Sequence, residues 1–145
     1  MDELSLIRKS LLHCQAVARS VLPVVETVLY RGSTVHIGAQ VILDHRLCMP
    51  GWIMGNVCTS ILNGDEQTAD SRVAITYVNE KPVSACLAFC RPDEKDPEVH
   101  TFTKWAYRRC GYGTLAVVAT GVQDFDYRIG RSEEETVGFY ESLSN

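Results

Sequence analysis

The sequence has no apolar run near the roughly 18 residues that a membrane-spanning helix needs, so no membrane partner is expected. It has no basic excess either. Lys and Arg number 14 against 18 Asp and Glu, a net charge of −4, which argues against a nucleic-acid module. Met1-Asp2-Glu3 lacks the positive charge that opens a secretory signal, and a cytoplasmic protein is expected. Gly-Lys-Ser/Thr occurs nowhere, which removes the Walker A loop. The dinucleotide fingerprint G-x-G-x-x-G also fails, because Ala116 stands where its third glycine would follow Gly111 and Gly113. No repeat, low-complexity tract or interdomain linker is visible.

What is present is ordinary for a globular chain: 46% hydrophobic and 22% charged residues over 145 positions. One domain of that length buries roughly 68–70% of its unfolded surface, so no metal or disulfide framework is needed to hold it. Residues 1–145 are expected to form a single domain. Its N-terminal part, 1–70, reads as mixed helix and strand, and 71–145 carries the chemistry.

Six cysteines, Cys14, Cys48, Cys58, Cys86, Cys90 and Cys110, would suit three disulfides in an exported protein. None of them has C-x-x-C spacing. Cys86 and Cys90 lie four apart on a strand-like stretch, where such residues sit about 13 Å apart, too far to share one ion. No metal is expected, and the thiols read as reduced, buried small hydrophobes.

Leu4, Ile7, Leu11 and Leu12 recur at helical spacing and predict a first helix that Pro23 ends. Residues 24–30 are β-branched and alternating, which predicts a strand. Ile53, Met54, Val57, Ile61 and Leu62 have helical spacing, but Gly51 and Gly55 weaken it, and 39–47 is ambiguous. Residues 72–78 and 83–89 flank the turn 79–82 and predict an antiparallel hairpin. After a charged loop over 91–97, further strands are expected at 99–103 and 126–129, with a helix over 113–122 between them. Ser132 and Glu135 form a capping box for a last helix.

The stretch from Thr103 to Ala116 is the informative one. It sets Arg108, Arg109, Gly111 and Gly113 in a turn between a strand and a helix. Glycines let the backbone turn tightly, and the amides of such a turn, with the positive end of the next helix, suit a pyrophosphate. Alone, the same residues also fit a plain strand-to-helix turn with solvated arginines.

Tyr107-Arg108-Arg109-Cys110-Gly111-Tyr112-Gly113 resembles the Arg/Gln-x-x-Gly-x-Gly/Ala loop of the GNAT superfamily of N-acetyltransferases, with Arg108 in its first place. Thr136 to Leu143, containing Phe139-Tyr140-Glu141-Ser142-Leu143, resembles the Phe-Tyr-Glu-x-Leu helix of the same superfamily. The resemblance covers about residues 72–145. It implies an α/β (α+β) fold: a mixed, mostly antiparallel central sheet flanked by helices, with the superfamily's usual last two strands missing. It implies acetyl-CoA or another acyl-CoA as co-substrate, and an amine acceptor on a small molecule or protein. The pyrophosphate would rest on Arg108, Arg109, Cys110, Gly111, Tyr112, Gly113 and Thr114. The pantetheine arm would follow Thr101, Phe102 and Thr103. The superfamily often places a carboxylate at the start of that strand, which favours Glu98 as base, whereas histidine at His100 has the better intrinsic pKa. Tyr140 would protonate the departing CoA thiolate.

Three departures stand out: the early end of the chain, an opening helix in place of a strand, and Lys104-Trp105-Ala106 where an acidic-Pro step is commoner. A homodimer would be one way to rebuild the missing acceptor wall. The leading expectation is an acyl-CoA-dependent N-acyltransferase. The alternative is a catalytically inactive relative that binds a protein partner as regulator or inhibitor. A phosphate- or nucleotide-binding module ranks third.

Overall fold

A computed structural model of the chain describes residues 22–122 and 128–129; the helices expected near residues 4–20 and from Ser132 lie outside them. Strand β1 (Val25–Arg31) leads into helices α1 (Val35–Asp44) and α2 (Ile53–Leu62). Strands β2 (Arg72–Val78), β3 (Lys81–Phe89) and β4 (Glu98–Thr103) follow, then helix α3 (Tyr112–Thr120) and strand β5 (Arg128–Ile129). Sheet order follows chain order, with the first four strands antiparallel and β5 parallel to β4. This is the mixed, mostly antiparallel sheet that the sequence led us to expect.

The β2–β3 turn has two left-handed residues, Asn79 (φ 50) and Glu80 (φ 70), as a two-residue hairpin with right-handed strand twist requires. Asn79 also fixes β1, since its side chain accepts from Val24 N–H at 3.1 Å and its own N–H donates to the Val24 carbonyl at 2.9 Å. Pro82 stands opposite Tyr77, where the register shifts, so its missing N–H falls at an irregular point of the ladder.

The segments 39–47 and 51–62 resolve into helices despite their glycines, because the glycines are packing devices. A Cβ on Gly38 would come within 2.8 Å of Val73 Cγ1 and 2.9 Å of Tyr30, so α1 lies against the sheet where only glycine fits. A Cβ on Gly55 would meet Cys48 Sγ at 3.3 Å. Composition lowers helix propensity at both sites, and tertiary packing overrides it.

Each face of the sheet has its own core. On one, Ile42, Leu47, Met54, Ile75 and Leu87 are fully buried with Phe89 beside them, under α1 and α2. On the other, the buried set is Ala74, Cys86, Ala88, Val99, Ala116 and Val117, packed under α3. One expectation about cysteine is corrected. Cys58 and Cys86 are buried and Cys48 half-buried, but Cys90 and Cys110 are exposed. Cys90 falls just past the end of β3 and Cys110 in the loop before α3, where no core reaches them. Burial pushes the Cys58 and Cys86 thiols up to about 12, so both stay protonated and inert.

Candidate active site

β4 organises the site because its two faces and its far end each present a different chemistry. Its pairing with β3 sets Glu98 opposite Phe89, His100 opposite Leu87 and Phe102 opposite Ala85, all on the α1–α2 face. Val99, Thr101 and Thr103 alternate onto the α3 face. Among the described residues, the ladder with β5 joins Glu98 to Arg128 and Val99 to Ile129.

The end of β4 is pinned. Ser84 Oγ donates to the Phe102 carbonyl at 3.0 Å and lies 2.8 Å from Thr103 Oγ1. Arg108 turns back on the same point, its Nε donating to the Thr103 carbonyl at 3.2 Å. Its guanidinium also stacks 4.9 Å above the ring of Trp105, which is exposed. The chain then passes left-handed residues at Arg109 (φ 64) and Gly111 (φ 82) before α3 begins. A non-glycine residue held left-handed costs on the order of 1–3 kcal/mol, a strain that collects at ligand sites.

Gly111 is the N-cap of α3 and gives it no side-chain cap. The first-turn amides of any helix lack intrahelical acceptors, so this end presents unpaired N–H groups and the positive end of the helix dipole. Nothing lies within 4 Å of the position a Gly111 Cβ would take. Backbone conformation, not crowding, calls for glycine there. Side chains moor α3 to the sheet at both ends. Thr76 Oγ1 donates to the Tyr112 carbonyl at 3.2 Å, and Arg72 Nη1 donates to the Thr120 carbonyl at 2.8 Å.

On the opposite face of β4, Glu98 is almost fully enclosed. Its Oε1 accepts from Arg91 Nε at 3.1 Å, and its Oε2 accepts from Arg91 Nη2 at 3.3 Å and lies 2.6 Å from His100 Nε2. Burial by itself would push the Glu98 carboxyl up, but the hydrogen bonds and charges of Arg91 and His100 outweigh it and hold the group below the ordinary carboxylate range. Phe89 completes the cluster, stacked on His100 at 5.8 Å and lying under the Arg91 guanidinium at 5.4 Å. A carboxylate can only accept, so His100 Nε2 carries the hydrogen of that short contact.

Sequence reasoning set Glu98 and His100 side by side but missed Arg91 and Phe89. Arg91 read as part of a solvated loop. The available signal was that residues 89–91 and 98–100 flank that loop, and antiparallel pairing brings such flanks together. Phe102 belongs with Thr101 and Thr103 through its backbone, yet its side chain faces the other way and meets Trp52 edge-on at 6.3 Å. Tyr140 lies outside the described residues. Among the described residues, no group of three His, Cys, Asp or Glu side chains could hold a metal ion.

Comparison with solved structures finds acetyltransferases of similar fold. An aminoglycoside N-acetyltransferase in complex with CoA superposes with a TM-score of 0.55 at 15% identity, over 84% of this chain and 86% of that one. This chain has the GNAT acetyltransferase fold. A Trypanosoma brucei acetyltransferase gives a TM-score of 0.53 at 14% identity, covering 84% of this chain and 92% of that one. An aminoglycoside acetyltransferase from an uncultured soil metagenomic sample, in complex with sisomicin, gives 0.52 at 10% identity, covering 83% and 88%. No protein-family model and no curated protein matches the sequence. The likeness is thus one of fold, at identities of 10% to 15%.

Proposed function

We propose that the protein is an acyl-CoA-dependent N-acyltransferase that joins an acyl group to an amine. The observation that carries this reading is the uncapped N-terminus of α3 behind left-handed Gly111, at the end of a strand whose opposite face holds the Arg91–Glu98–His100 cluster. The fold supports it, since the solved structures it superposes on are acetyltransferases.

The amides of Arg109 to Thr114 and the side chain of Arg108 receive the pyrophosphate of acyl-CoA, with acetyl-CoA the simplest donor. The stretch of β4 from Thr101 to Thr103 takes the amide-bearing arm by backbone pairing. The acceptor amine attacks the thioester carbonyl, a C–N bond forms, the C–S bond breaks, and CoA leaves as its thiolate. An alkylamine is mostly protonated near neutral pH, so a base must take its proton first. His100 fills that role. Glu98, its oxygens held by Arg91 and by His100, orients the imidazole. Arg91 positions Glu98. Tyr140 remains our assignment for the acid that returns a proton to the CoA thiolate, since a tyrosine pKa of about 10 suits it.

A thermal shift with acetyl-CoA, followed by CoA thiol release with amine acceptors, tests the reading. Ligand at about 100-fold its Kd stabilises the folded state by about 2.7 kcal/mol and raises Tm. Gly111→Asp should abolish that rise, because it sets a carboxylate at the anion site in a conformation aspartate tolerates. No rise for the unaltered protein at saturating acetyl-CoA rules the proposal out. A rise without acyl transfer to any amine favours the binding-only alternative.

A further inference from the structure

Resting on the proposed acyl transfer, we infer that the acceptor is a primary amine borne on a flat apolar body, an aromatic ring foremost, and that Trp52 with Phe102 selects it. The α1–α2 face of β4 is polarised along its length. At its start stand Glu98 and His100, and beyond Arg91 the acidic loop Asp93-Glu94-Lys95-Asp96. At its end stands Phe102, about 13 Å from Glu98 along an extended strand. The Phe102 ring meets Trp52 edge-on at 6.3 Å. Trp52 is itself 44% exposed, and its neighbours Met49 and Ile53 are 46% and 37% exposed. Met49 and Trp52 on the connection between α1 and α2, and Ile53 at the start of α2, therefore face solvent beside the one aromatic residue that β4 turns toward them.

Charge decides which amine this suits. On the α1–α2 face of β3 and β4, Ala85, Leu87, Phe89 and Phe102 carry no charge, and beside His100 stands Glu98 as the single carboxylate. Both its oxygens are engaged by Arg91 and His100. A polycation such as a polyamine or aminoglycoside needs several carboxylates to replace its hydration, and this strip offers none to spare. One amine does fit, with its nitrogen at His100 and its apolar body against Phe102 and Trp52. His100 and Phe102 are two residues apart on one face, a separation of about 6.6 Å, which suits a ring joined to its amine by a short linker. Trp52 is the specificity-determining residue of this arrangement.

The test measures CoA thiol release from the full chain at saturating acetyl-CoA with 2-phenylethylamine, a peptide beginning with phenylalanine, spermidine and sisomicin. Turnover of either ring-bearing amine at least about tenfold above spermidine and sisomicin, in kcat/KM, is the expected result. The first two arms separate a free amine from a protein N-terminus. Trp52→Ala should raise KM for the ring-bearing amine about tenfold with kcat little changed, and Trp52→Phe should restore most of it, as expected for contact made equally in ground and transition states. A preference for spermidine or sisomicin, or a KM indifferent to Trp52→Ala, overturns the inference while leaving acyl transfer standing. Should acyl transfer itself fail, binding still decides. In a Trp105→Phe background, 2-phenylethylamine should change Trp52 fluorescence saturably and spermidine should not, and no saturable change overturns the inference.

Discussion

The face of the sheet under α3 is built from small side chains, Ala74, Cys86, Ala88 and Ala116 among them, whereas the face under α1 and α2 is built from Ile42, Met54, Ile75, Leu87 and Phe89. Small residues let α3 lie close to β2 and β3, which carries its uncapped amides to the end of β4. In the proposed reaction that side binds the anion through backbone N–H groups and Arg108, and needs no other special side chain beyond its moorings. Under α1 and α2 the working groups are side chains, and the large core keeps Glu98, His100 and Phe89 in one geometry. In the proposed reaction the donor half depends on conformation and the acceptor half on chemistry.

The sharpest way to break that contrast is to exchange side chains on the two faces of β4. His100→Asn should lower kcat by about 10²–10⁴, the usual contribution of a positioned base, with the acetyl-CoA thermal shift intact. Thr101→Val, on the α3 face, should leave kcat within a few-fold by the same thiol-release assay. Equal losses at the two sites would end the distinction.

Next in size is packing. Leu87→Ala should cost about 2–5 kcal/mol in urea unfolding, because it empties a site walled by large neighbours. Cys86→Ala, one residue along and facing α3, should cost about 1 kcal/mol, since little volume is lost. Filling that thin layer instead, with Ala116→Leu, should cost about 1–3 kcal/mol and lift α3 from the sheet.

At the loop, Gly111→Ala should cost about 1–2 kcal/mol from the left-handed conformation alone, as no atom stands where its methyl would go. Acetyl-CoA affinity, read by titration calorimetry, should fall with it.

The smallest effect concerns pH. The folded-state pKa of Glu98 lies below the ordinary carboxylate value, so Glu98 adds stability above that ordinary value of about 4.3 and loses it as pH falls through the lowered one. Melting temperatures over about pH 3 to 6 should therefore fall more steeply for the unaltered protein than for Glu98→Gln. Parallel curves would mean that Arg91 and His100 do not favour the charged form.

The turn from β4 into α3 was legible because its demands are local. A strand, a turn with two glycines and a helix start are consecutive in the chain, and the left-handed step at Gly111 leaves a glycine in the sequence. The hairpin from Arg72 to Phe89 was legible for the same reason: alternation and a two-residue turn are short-range signals. Strand and helix ends differed by a residue or two, with Glu98 joining β4 and α3 opening at Tyr112. The helices α1 and α2 were obscured because Gly38 and Gly55 answer to Tyr30, Val73 and Cys48, residues distant in sequence or reached only by a turn of the chain. Arg91 was missed because its partner stands across a loop that composition marks as solvated.

By itself, then, the sequence determined one globular chain with a hairpin, a strand–glycine–helix turn and a pair of titratable residues, Glu98 and His100, near it. Only the tertiary structure decided that Arg91 and Phe89 close around that pair, that Phe102 turns toward Trp52, and that α3 fits against a layer of small residues. The physical reason is range. Backbone conformation is paid for residue by residue and leaves a local signature, whereas a buried ion pair or a ring contact is fixed by strand register and helix docking, which no short window of sequence contains.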